Sequence, residues 1–201
     1  MDQGTVAGRA NQRRRLIPRP RLERLLEESG ARIALLAAPA GYGKTTLARQ
    51  WLAKHRRGTV WYQARPPSSD IAGLALGLRQ AFAQTVRAIG DRVNERLRAT
   101  ADPDREVHEL AELLARDVSE CPADTSLVID DYQYIAERAV AENFIACLID
   151  QTTMPVLITT RVRPSWISAK HLLYGEVLEL GRNVLAMTHD EAEAVLDPGT
   201  G

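Results

Sequence analysis

The sequence predicts an α/β fold in which a parallel sheet is covered by helices on both faces. Three observations predict it. Short apolar runs alternate with stretches of helical spacing: "RIALLAA" (32–38), "GTVWYQA" (58–64), "SLVIDDY" (126–132), "MPVLITTR" (154–161) and "EVLEL" (176–180). Such alternation is the signature of repeated strand–helix–strand units. The first and third runs are continuously apolar, as strands buried on both faces must be. Polar residues then cluster where the runs end, at the carboxyl edge of the sheet, where ligands of open α/β sheets sit.

Taken in order, residues 1–16 read as a basic flexible tail. The first two dozen residues carry Arg9, Arg13, Arg14, Arg15, Arg19, Arg21 and Arg24 against few acids, which suits a solvated arm or a nucleic-acid contact. "PRPRLERLLEES" has the spacing of an amphipathic helix with Leu22, Leu25 and Leu26 on one side, ended by Ser29 and Gly30. A helix is predicted from Lys44 to about Lys54, after the first strand. Asp70 is placed to cap the next helix, and residues 71–120 are mostly helical, interrupted at "IGD" and "TADPD". Leu110, Leu113 and Leu114 form a stripe in the last of these helices. Residues 134–151 again have helical spacing, with Phe144, Leu148 and Ile149 facing inward. "THDEAEAVL" opens with a capping box between Thr188 and Glu191. Residues 197–201 read as a frayed end.

Composition places the chain among ordinary globular domains, with 45% apolar and 26% charged residues in 201. Basic and acidic residues balance at 26 each, so net charge offers no attraction to nucleic acid or to an acidic membrane. Two cysteines, Cys121 and Cys147, are too few for a disulfide scaffold. The start lacks the apolar stretch of a signal peptide, and no run approaches a membrane span, so a cytoplasmic location is expected. His55, His108, His171 and His189 show no metal-ligand spacing and are read as surface or helix-terminal residues. Met154, Met187 and Tyr132 are read as core, and the three tryptophans as core or interface.

"APAGYGKT", residues 38–45, fits the phosphate-loop pattern G-x-x-x-x-G-K-[ST] with Ala38 in place of the first glycine. Gly41 and Gly43 permit backbone angles that a Cβ disfavours, so that successive N–H groups from Ala40 through Thr46 can curl around phosphate oxygens. The helix that begins near Lys44 adds its positive end. Lys44 is expected to bridge terminal phosphates, Thr45 to coordinate Mg²⁺ and Thr46 to reach the alpha phosphate, with Tyr42 covering the loop. "LVIDD" supplies the carboxylates such a loop needs on a neighbouring strand: Asp130 for the metal and Asp131 to polarise an attacking water. "LITTR" adds Thr159, Thr160 and Arg161, whose guanidinium suits terminal phosphate charge, provided the fourth strand lies between the first and third.

"RPRLERL", "APAGYGKTTL", "WYQ", "VIDDY" and "LITTR", in that order, resemble the STAND class of signal-transduction ATPases. Within that class they are similar to the maltose-regulator-like subgroup of LuxR-type transcriptional activators, over residues 16–196. The resemblance implies a P-loop NTPase three-layer sandwich with a five-stranded parallel sheet in the order 5-1-4-3-2. It also implies binding of ATP with Mg²⁺ and slow hydrolysis that times a regulatory switch, with self-association through the ATPase domain possible. Lys44, Thr45, Asp130, Asp131 and Arg161 fall on the family's phosphate, metal, acidic and arginine positions. Arg19 and Pro20 fall where relatives wrap the adenine. The winged-helix, helical-repeat and DNA-binding parts of such regulators are absent from the 201 residues, so no direct DNA binding and no membrane contact is expected of them. Another P-loop ATPase or kinase, or a nucleotide-binding scaffold without turnover, is the alternative function.

Overall fold

A computed structural model describes residues 17–55, 58–86, 89–119 and 121–196. The segments read as a basic tail (1–16) and a frayed end (197–201), together with Arg9, Arg13, Arg14, Arg15 and the His55 side chain, lie outside the described residues.

Five strands, β1 (Ile33–Ala37), β2 (Gly58–Gln63), β3 (Thr125–Asp130), β4 (Val156–Thr160) and β5 (Val177–Gly181), form one sheet in the order β2-β3-β4-β1-β5, with every pair parallel. Read from the other edge this is the expected 5-1-4-3-2, and β4 does lie between β1 and β3. β3 and β4 are buried along their whole length, which is why their sequences are apolar without alternation.

Side chains that alternate along the strands feed two separate cores. Ile33, Leu35, Val60, Leu127, Ile129, Val156 and Ile158 face one way. There they meet α3 (Ile71–Thr85), α4 (Arg92–Ala99), α5 (Val107–Val118) and α6 (Ala139–Asp150). Leu36, Val128, Leu157 and Leu180 face the other way, onto α1 (Pro20–Glu28) and α2 (Lys44–His55). The result is the three-layer sandwich the sequence predicts.

Local chemistry explains the helix boundaries. Asp70 caps α3 by accepting from the Gly73 N–H at 2.7 Å. Halfway along that helix, a Cβ at Gly77 would sit 2.8 Å from the Tyr62 ring, so glycine lets α3 lie close to the sheet. α5 buries Leu110 and Leu114, each worth about 1.5–3 kcal/mol of transfer energy. Its fully buried Asp117 is satisfied by Arg92 at 2.9 Å and by the Val93 N–H at 3.3 Å, which ties α4 to α5. Phe144, Leu148 and Ile149 are buried as expected, although α6 begins only at Ala139, after a 3-10 turn at Tyr132–Tyr134.

Chain order continues through two short helices, α7 (Ala169–Leu173) and α8 (Arg182–Leu185), to α9 (His189–Leu196). The capping box before α9 is present: Thr188 N–H donates to Glu191 at 3.0 Å and Glu191 N–H donates to Thr188 at 3.3 Å.

Three expectations need correction. Leu25 is exposed, because α1 meets the sheet through Leu22 and Leu26 only. Met187 is exposed rather than core, since it follows α8 on a connecting segment. Arg19 is not part of a solvated arm: it is 5% exposed. Among the described residues no helix is long and apolar enough to cross a membrane.

Candidate functional site

The glycine-rich loop runs from the end of β1 to the first residue of α2. Gly41 and Gly43 have φ of 88° and 73°, in the left-handed region where a side chain is disfavoured, so the turn needs glycine at both positions. Leu47 N–H donates to Gly43 O at 2.8 Å, which closes the first turn of α2. The first N–H groups of a helix have no intrahelical acceptor and carry the positive end of its dipole. Ala40, Gly41, Gly43, Lys44, Thr45 and Thr46, with Asp131 and Arg161 from neighbouring strands, line an open cavity of about 340 Å³. That volume lies within the range of small-molecule clefts, about 300–1,000 Å³.

Parallel register brings the strand ends together. Ile129 pairs with Ile158, so Asp130 meets Thr159 at the next step, and Leu36 pairs with Thr159 on the other side. Asp130, 1% exposed, accepts through Oδ1 from the Thr159 hydroxyl and from Thr45 Oγ1 at 2.9 Å. Its Oδ2 is buried and has no hydrogen-bond partner among the described residues. A buried carboxylate oxygen without a donor costs several kcal/mol unless a cation satisfies it. The Thr45 hydroxyl is next to that carboxylate, and both are the hard oxygen ligands that Mg²⁺ prefers. The residues present therefore fit a magnesium ion. No group of three or more His, Cys, Asp or Glu side chains suited to a metal occurs among the described residues.

Lys44 is buried, and its amine donates to Ala38 O at 2.7 Å and Pro39 O at 2.9 Å. Desolvation by burial and the nearby Arg161 charge lower its pKa, against the opposing pull of Asp131 and Asp130. An anion in the cavity would reverse that imbalance. Arg161 follows β4, is exposed and lines the cavity.

Asp131 has φ 59° and ψ 43°, the only positive φ outside glycine among the described residues. Its N–H donates to Thr159 Oγ1 at 3.1 Å, and its Oδ1 accepts from Gln133 Nε2 at 2.9 Å. Aspartate tolerates the left-handed region better than most side chains, and such backbone outliers concentrate at functional sites.

Tyr42, Arg19 and Pro20 do not line the cavity. The Tyr42 hydroxyl accepts from Arg182 Nε at 3.1 Å, which turns the ring toward α8. Pro20 opens α1 and is exposed. Arg19 is buried with its donors in use: Nη1 to Leu185 O at 2.9 Å, Nη2 to Ala186 O and Glu191 Oε2 at 2.9 Å each, and a long contact of 3.5 Å to Tyr42 O. Burial opposes the charge on Glu191, but hydrogen bonds from Arg19 and Thr188, with the charges of Arg19 and Arg21, hold its carboxyl below the usual range. This latch and the Gln133 contact were not anticipated from the sequence. A polar residue two positions past an acidic pair was the one local hint of Gln133.

Residues 5–159 match the family described as the AAA ATPase domain. Among solved structures, the fold resembles a STAND protein with a tetratricopeptide repeat sensor from Pyrococcus horikoshii. The TM-score is 0.57 and the identity 19%, over 89% of this chain and 24% of that one. It also resembles a structure of Drosophila ORC bound to AT-rich DNA and Cdc6 (TM-score 0.48, 14% identical, 86% of this chain and 56% of that one). The chain thus spans about a quarter of the archaeal protein's length. Its loop, its buried acid and its sheet order agree with the family match over most of its length, and the chain belongs to the AAA ATPase domain family, as a nucleotide-binding P-loop ATPase domain.

Proposed function

We propose that this domain is the nucleotide switch of a larger regulator, binding ATP with Mg²⁺ and hydrolysing it slowly to ADP and phosphate. The supporting observation is the buried Asp130 carboxylate, with one oxygen shared by Thr45 and Thr159 and the other without a donor among the described residues, directly behind Thr45, which lines the cleft together with Lys44 and Arg161. The loop N–H groups and Lys44 bind the phosphates. Thr45 and Asp130 hold the magnesium ion, which supplies charge neutralisation at the terminal phosphates when bound. Asp131 orients and polarises the attacking water, and Arg161 stabilises charge on the terminal phosphate.

The regulatory setting rests on the ordered motifs shared with the maltose-regulator-like STAND ATPases, for which a transcriptional role, a cytoplasmic location and self-association through the ATPase domain follow. In this setting the 201 residues contact nucleotide rather than DNA.

Thermal unfolding with and without nucleotide tests the reading. ATP with Mg²⁺ at a hundred times its Kd is expected to add about 2.7 kcal/mol of stability. Lys44→Ala is expected to abolish that gain. An unmoved melting temperature in the parent chain would refute nucleotide binding. Binding without phosphate release, even alongside the rest of a full-length protein, would leave a scaffold in place of a switch.

A further inference from the structure

We propose that Gln133 is a positioning residue that fixes the Asp131 carboxylate against the backbone of Arg161, so that the cleft distinguishes a nucleoside triphosphate from a diphosphate. The inference rests on the nucleotide site described above and assigns its selectivity to a residue that does not line it.

Gln133 occupies the 3-10 turn after β3 and is half-buried. Its Nε2 donates to Asp131 Oδ1 at 2.9 Å, and its Oε1 accepts from the Arg161 N–H at 3.2 Å. One amide therefore joins the residue after β3 to the residue after β4. The two partners determine the amide's orientation. Flipped, it would set its oxygen against a carboxylate and its NH₂ against an N–H. Neither glutamate nor an apolar side chain satisfies both ends.

The bridge completes a continuous run of hydrogen bonds across the sheet end. Thr45 and Thr159 donate to Asp130, the Asp131 N–H donates to Thr159, and Gln133 links Asp131 to Arg161. Asp131 and Arg161 carry opposite charges into one cleft. Released from Gln133, the Asp131 carboxylate faces two cations there, Lys44 and Arg161. Pairing with either would withdraw a positive charge from the phosphate site. The loop N–H groups contact phosphates that ADP and ATP share, whereas Asp131 and Arg161 act on the additional one. Loss of the bridge therefore falls on the triphosphate.

The test is calorimetric titration of the 201-residue chain and of Gln133→Glu and Gln133→Met with ADP and with a non-hydrolysable β,γ-methylene ATP analogue, both with Mg²⁺. ADP affinity is expected to stay within about twofold of the parent, while analogue affinity falls about tenfold or more, the worth of a hydrogen bond to a charged group. Gln133→Glu should lose at least as much as Gln133→Met, because it sets one carboxylate against another. Gln133→Met carries the test if the glutamate variant does not fold. Equal weakening of both nucleotides, or an unchanged affinity ratio, overturns the proposal. A parent chain that binds neither nucleotide overturns the underlying site as well; a parent that binds, with variants of unchanged ratio, overturns this inference alone.

Discussion

The two faces of the sheet are unequal. One is covered by α3, α4, α5 and α6 over a broad core that includes Phe82, Leu110, Phe144 and Ile158. The other is covered by α1 and α2 over a much smaller cluster around Leu22, Leu36, Leu47 and Leu157. Both faces support the site, but they support different parts of it. The broad core backs the acidic strand end through Ile129 and Tyr132, whereas the small cluster holds Ala38, Leu47 and Ala48, which flank the phosphate loop. Asp130 alternates with Ile129, so its carboxylate turns to the thin face, where Thr45 of α2 donates to it at 2.9 Å, while Ile129 and Tyr132 anchor the strand end in the broad core. Local opening free energy follows buried apolar contact, so the loop side is where motion costs least.

Paired truncations break or sharpen this contrast. Phe144→Ala in the broad core is expected to cost about 3–5 kcal/mol in chemical denaturation while leaving the nucleotide affinity of folded molecules unchanged. Leu47→Ala, beneath the loop, should cost about 2–3 kcal/mol and weaken nucleotide binding as well. Equal effects on affinity from the two variants would show that the faces do not divide the work.

Gly77→Ala gives a smaller probe of the broad face. Its new Cβ meets a Tyr62 ring that is buried and held by a 2.9 Å hydrogen bond from its hydroxyl to Ser68. Overpacking of about 1–3 kcal/mol is expected in the denaturation midpoint. No loss would mean that α3 can draw back from the sheet.

The smallest effect belongs to the thin face and depends on pH. Glu191 is held below its ordinary value of 4.5 in the folded protein. Its contribution is therefore complete above that value and is lost as pH falls through the lower folded one. Glu191→Gln should cost about 1–2 kcal/mol at neutral pH. The melting-temperature gap between parent and variant should close in acid. A gap that persists at low pH would show that shape, not charge, holds the C-terminal segment.

Local patterns made much of this legible in advance. Apolar runs and helical spacing carry the five strands and their order of burial. Lys44, Thr45 and Asp130 could be read because glycine angles, a helix start and a strand-end acid are each short-range features. Gln133 could not be read in the same way, since its role depends on the left-handed turn at Asp131 and on β4 lying beside β3. The Arg19–Glu191 pair joins residues 172 apart in sequence, and nothing local to Arg19 distinguishes it from the arginines before it. Leu25 and Met187 show that apolar character alone does not determine burial, because much of a folded surface is apolar.

Arg19 also decides how the domain bears load. It joins residue 19 to Leu185, Ala186 and Glu191, so both ends of the described chain meet at one corner beside Tyr42. Arg21 reinforces the corner through Val184 O at 2.9 Å and Ala186 O at 3.2 Å, so tension applied between residues 17 and 196 would load two neighbouring guanidiniums and their acceptors. Tyr42 of the phosphate loop touches that stitch, through its carbonyl to Arg19 and its hydroxyl to Arg182, so a pull on the chain ends is applied next to the loop.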